Sequence, residues 1–115
     1  VKMIKIRIMY WKEIPAQIQV QSQNETKSQM LDERFQKGID AIAMQDGSYG
    51  SDLYINAWQW GQFKEVDGEI NEVLQINIQK YNNNFPKNFI SRVIELDKSG
   101  KRTGTPESID HWIKQ

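Results

Sequence analysis

The sequence contains no cysteine, which removes disulfides, thiolate metal sites and cysteine nucleophiles at once. It carries a single histidine, His111, so imidazole acid–base chemistry has one place to reside. Net charge is also missing: 15 basic residues balance 15 acidic ones, and the large basic field on which non-specific nucleic-acid binding relies is absent. No apolar run approaches the roughly 18 residues of a membrane span, so no membrane insertion is expected. Lys2, Lys5 and Arg7 interrupt the amino-terminal apolar residues, unlike the continuous core of a signal peptide. A cytoplasmic location is the default expectation. Apolar surplus is small, with a mean hydropathy of −0.70. Four Trp, four Phe and four Tyr compensate, since each buried aromatic removes a large area from water.

What is present begins with alternation. Ile4, Ile6, Ile8 and Tyr10 alternate with Lys5, Arg7, Met9 and Trp11; Ala16, Ile18 and Val20 alternate with Gln17, Gln19 and Gln21. Period-2 patterning marks two half-buried strands, and Lys12 to Pro15 suits the hairpin between them. Ser22 to Ser28 is polar and aperiodic and reads as a surface connection. Leu31, Phe35, Ile39 and Ile42 then form the apolar stripe of a helix running to about Gln45, capped by Ser28 or Asp32. Asp46 to Gly50 is a turn with two glycines.

From Asp52 to Val66 the Tyr, Ile, Trp, Phe and Val content favours a third strand, with Leu53, Ile55 and Ala57 on one face and Tyr54, Trp58 and Trp60 on the other. A helical turn over Asp52 to Asn56 is the competing reading, and Gly61 marks a bulge or bend. A second helix follows, with Asp67 as N-cap and a stripe of Ile70, Val73, Leu74, Ile78 and Tyr81; a third starts at Phe85-Pro86 and stops at Ser99-Gly100. The order β-β-α-β-α-α implies the α+β class, a small, largely antiparallel sheet with helices on one face. Residues 1–100 form the domain and 101–115 a tail. In the tail, Lys101 to Thr105 reads as a flexible link, and Ile109, Trp112 and Ile113 form a short stripe for docking.

No constellation of catalytic residues emerges. His111 lies between Asp110 and Trp112 without a nucleophile tied to it. Arg34 reads as a solvated or surface-paired cation. Asp46 to Asp52 suggests a calcium loop only faintly, and G-S-Y-G-S-D lacks the spacing of a phosphate loop. No catalytic residue, metal ligand or cofactor is assigned.

Three runs carry a resemblance: Y-W-K-E-I-P-A-Q (Tyr10 to Gln17), L-D-E-R-F-Q-K-G-I-D-A-I-A-M (Leu31 to Met44) and G-S-D-L-Y-I-N-A-W (Gly50 to Trp58). In that order and spacing the chain resembles, over roughly residues 3–98, the small bacterial domain family labelled "virulence factor". That family occurs as stand-alone proteins and at the end of conserved virulence factor C. The resemblance implies no assigned activity, and its setting in the longer protein implies an accessory role near cofactor or metal-cluster handling.

The alternation itself points to a binding face. Lys5, Arg7, Met9 and Trp11 are directed away from the helices, with Tyr54, Trp58 and Trp60 beside them; aromatics and cations on an open sheet form interface hot spots or stack planar ligands. The opposite register would bury the tryptophans instead. The expectation is a non-catalytic interaction or accessory module whose face of Arg7, Trp11, Tyr54, Trp58 and Trp60 meets a protein partner or a second copy. The alternative is a carrier in which Trp11, Trp58 and Trp60 grip a small planar ligand or cofactor.

Overall fold

A computed structural model describes residues 3–114. The chain runs β1 (Met3–Trp11), β2 (Ile14–Gln21), β3 (Thr26–Met30), α1 (Glu33–Asp46), α2 (Asp52–Asn56), β4 (Trp58–Trp60), β5 (Lys64–Asp67), α3 (Ile70–Asn84) and α4 (Phe89–Lys98), then a 3-10 turn at Asp110–Trp112. The fold is α+β. Its antiparallel sheet has the order β3-β2-β1-β4, and β5 pairs with β1 beyond β4. Ile6 lies opposite Val20 and Ile8 opposite Ile18, so the apolar halves of the two alternations share one face. Phe35, Ile39 and Ile42 of α1, Leu74 and Ile78 of α3, and Phe89 and Val93 of α4 complete the core against it.

Four readings change. Residues 26–30 are strand rather than connection. As the sheet edge, β3 needs no apolar alternation; its side chains instead tie it to α3, Lys27 to Asn71 at 2.6 Å and Gln75 to Gln29 at 2.7 Å. Residues 52–66 are not one strand. Ser51 accepts a hydrogen bond from the Leu53 amide at 3.2 Å, which caps α2 and realises the competing helical reading. Gly61 then separates β4 from β5. Its amide donates to the Ile8 carbonyl at 2.7 Å, and a Cβ there would stand 3.0 Å from the Tyr10 ring. Finally, Glu69, not Asp67, caps α3 by accepting from the Asn71 and Glu72 amides at 3.0 and 3.1 Å. Phe85-Pro86 lies in the link before α4, with Phe85 buried among Phe35, Tyr81 and Phe89.

Candidate interaction surface

The register of the hairpin decides which aromatics remain available. Between Met9 and Tyr10 the pairing shifts: Met9 faces Gln17, but Tyr10 faces Pro15 and Trp11 faces Ile14. An extra residue in one strand re-aims the side chains beyond it. Trp11, which simple alternation places with Arg7, is therefore drawn into the core with Ile14, and both are 0% exposed. Its indole Nε1 donates to the Tyr54 carbonyl at 2.9 Å and its ring lies 5.7 Å from that of Tyr54. Trp11 is thus no part of an open face, and it cannot grip a ligand together with Trp58 and Trp60.

Tyr54 is the inward side chain of α2. Its hydroxyl donates to Asp40 at 2.9 Å and lies 3.3 Å from the Gln36 amide, and burial and the Asp40 bond raise its pKa. Trp58 packs edge-on to Tyr54 and is half-buried. Tyr54 and Trp58 therefore fasten α2 to the body, and the other side chains of the short helix turn outward. Leu53 is 66% and Ile55 68% exposed, with Tyr49 at 55% just before them.

Arg7 and Trp60 do meet on the uncovered side of the sheet. The Arg7 guanidinium sits 4.0 Å from the Trp60 ring and 4.4 Å from the Phe63 ring, a cation held between two π faces. Its Nε donates to Gln19 at 2.7 Å, and Gln19 reaches Ser28 at 3.5 Å. This polar chain crosses three strands and fixes the guanidinium, whose terminal nitrogens have no protein partner among the described residues. Phe63 remains 40% exposed. Sequence reasoning missed Leu53, Ile55 and Phe63 as surface residues because apolar side chains in a strand-like run are assigned inward by default.

The tail is docked. Ile109 and Ile113 enter the core and Trp112 packs half-buried against it. Tyr10 and Tyr81 both donate to Asp110 Oδ2, at 2.5 and 2.9 Å, while Asp110 Oδ1 is buried without a hydrogen bond among the described residues. Burial raises the Asp110 pKa, against the two phenol bonds that lower it; burial and the neighbouring carboxylate raise both tyrosines. His111 is exposed and edge-on to Trp112.

The link before the tail is anchored rather than flexible. Arg102 donates through Nε and Nη2 to Glu13, both at 2.7 Å, and through Nη1 to Asp46 at 2.9 Å. Lys12 reaches the same Asp46 oxygen at 2.7 Å. Glu13 is only 1% exposed. Burial would raise Asp46, but the bonds from Lys12, Ser48 and Arg102 outweigh it and hold its carboxyl down at about 2; the same carboxylates outweigh burial at Arg102 and raise its pKa. Asp46 is therefore a structural ion-pair partner, not the first ligand of a calcium loop. Arg34 is likewise not solvated. It donates to the carbonyls of Asn82, Phe85 and Pro86 at 3.0 to 3.2 Å, closing the carboxyl end of α3, and partial burial lowers its pKa.

Among the described residues no group of three or more His, Asp and Glu side chains is placed to hold a metal ion, and no helix is long and apolar enough to cross a membrane. No curated protein and no solved structure matches the chain. A family model described as "Virulence factor" matches residues 9–94. That stretch runs from the last residues of β1 through β2 to β5 and α1 to α3 into α4, and exceeds half of the chain, so the protein belongs to the virulence factor family.

Proposed function

We propose that the protein is a non-catalytic interaction module that docks a protein partner through residues 49–63, with Arg7 beside them. One observation carries this reading: a single segment turns Tyr49, Leu53, Ile55 and Phe63 outward, each at least 40% exposed, while Trp58 and Trp60 stay half-buried. Scattered surface apolars need no explanation, but a concentration of them in one segment marks an interaction site. Arg and Trp are the residues that most often dominate such interfaces. Arg7, held between Trp60 and Phe63 with its terminal nitrogens free of partners among the described residues, is preorganised to receive a carboxylate from the partner, so little side-chain entropy is lost on binding. The accessory role and cytoplasmic setting expected from the sequence are consistent with a module that acts by binding.

The test compares wild-type protein with the Leu53→Asp, Ile55→Asp double variant as bait in an extract of the producing cells, with recovery quantified by mass spectrometry. Both positions are more than 60% exposed, so the variant keeps its fold, and its melting temperature checks this. The reading expects a protein recovered stoichiometrically with the wild type and lost with the variant. Equal recovery by both baits, or none by either, overturns it.

A further inference from the structure

Where the tail crosses α4, two clefts meet at one side-chain stack. The Arg92 guanidinium lies 3.9 Å from the Trp112 ring, and both residues line a cleft of about 630 Å³ on one side and one of about 510 Å³ on the other. The smaller cleft is walled by Asn84, Pro86, Lys87, Arg92, Trp112 and Lys114, with no carboxylate among the described residues that line it. None of its three cations is paired with an acid among the described residues, whereas Arg102 is paired with Glu13 and Asp46, and Lys12 with Asp46. The Arg92 side chain also makes no hydrogen bond among the described residues; it lies over the indole of Trp112, which orients the guanidinium plane while leaving its donor edge open.

In a chain whose formal charge is zero, three cations around one concave site whose described lining holds no acid make that site locally positive. The backbone also fixes the walls. The Lys114 amide donates to the Asn84 carbonyl at 3.1 Å, which holds the tail side of the cleft against the end of α3. Arg34 closes that same helix end through Asn82, Phe85 and Pro86.

We infer that this cleft binds the phosphate group of a phosphorylated molecule, with Arg92 as its bidentate donor and Lys87 and Lys114 as flanking charges. A phosphate monoester or pyrophosphate group carries close to two negative charges or more and several acceptor oxygens, which matches a planar guanidinium fork with two ammonium groups better than a single carboxylate does. The same chemistry is presented by a soluble phosphate ester and by the headgroup of a phosphatidic acid, and the two sources are separable by experiment.

The full-length chain is titrated with inorganic pyrophosphate by calorimetry at low ionic strength. In parallel it is sedimented with phosphatidylcholine vesicles that contain or lack phosphatidic acid. Arg92→Gln and Lys87→Gln are compared with Lys37→Gln, a control at an exposed cation on α1, and thermal unfolding verifies that each variant is folded. Saturable pyrophosphate binding that weakens about tenfold or more in Arg92→Gln and stays unchanged in Lys37→Gln supports the site with a soluble ligand. Sedimentation only with phosphatidic acid, lost in Arg92→Gln, supports it with a lipid headgroup. Absence of binding to either probe overturns the inference. So does binding that Arg92→Gln leaves intact, or that Lys37→Gln weakens equally, since that is non-specific attraction to surface charge.

Discussion

Tyr10 and Asp110 stand 100 residues apart in the chain and 2.5 Å apart in space, the phenol of the first strand donating to a carboxylate of the last turn. Tyr81 donates to the same oxygen at 2.9 Å. The sheet, α3 and the tail thus converge on one buried carboxyl group whose second oxygen has no hydrogen-bond partner among the described residues. An ionised carboxylate is costly in such a place, and the group holds its proton to higher pH than an unfolded aspartate does. The contribution to stability is present at low pH and is lost as pH rises through the folded-state pKa.

Asp110→Asn supplies the neutral form permanently. Relative to wild type, this variant is expected to gain stability as the pH is raised from about 4 toward 7. Thermal melts of both proteins across that range measure the difference, which cancels the opposite trend from Asp46, whose lowered pKa costs stability as the pH falls from about 5 toward about 2. A constant offset at every pH would mean that Asp110 is ionised and comfortable in the fold.

Arg102→Met tests the ion cluster that anchors the tail. Glu13 is left buried with no counter-charge, and breaking a buried pair from one side costs about 3–5 kcal/mol. Removing the stranded charge as well, in Arg102→Met with Glu13→Gln, recovers much of that loss. Chemical denaturation of the single and double variants gives both numbers. A double variant no more stable than the single one contradicts the role given to Glu13.

Deletion of residues 104–115 removes Ile109 and Ile113 from the core and releases Tyr10 and Tyr81. At about 1.5–3 kcal/mol for fully burying an isoleucine, offset by the entropy of a freed segment, a net loss of about 2–4 kcal/mol is expected. This is a drop of roughly ten degrees in a domain of this size. Differential scanning calorimetry reads it directly, and an unchanged melting temperature would show that the docked tail contributes nothing.

Gly38→Ala separates propensity from packing. In an exposed helix the change gains up to about 1 kcal/mol. Here the new Cβ would fall 2.4 and 2.7 Å from two carbons of the Phe89 ring, where α4 crosses α1. Overpacking of a filled core costs about 1–3 kcal/mol, so net destabilisation is expected, and urea unfolding decides the sign.

Much of this fold is legible in the sequence, and the exceptions share causes. The hairpin, α1 and α3 follow from periodicity because one face of each is apolar over several turns or pleats. Trp11 was misplaced because a register shift at Met9/Tyr10 leaves no mark in a run that alternates on both sides of it. Leu53 and Ile55 suit a half-buried strand as well as an outward-facing turn, and only the cap from Ser51 chooses between them. Arg102 looks like any polar link residue, since its partners Glu13 and Asp46 are 89 and 56 positions away. Of the expected binding face, Arg7 and Trp60 come together in the open, Tyr54 and Trp58 secure α2, and Trp11 is lost to the core.

The central claim is that residues 49–63 form a docking surface, and site-specific photo-crosslinking in the producing cells tests it most directly. A photoreactive side chain is placed at position 53, at position 55 and, as a control, at position 37, where the lysine is 72% exposed on α1. The account predicts one discrete crosslinked protein from positions 53 and 55 and none from position 37. The same products from all three positions, or none from any, would contradict it.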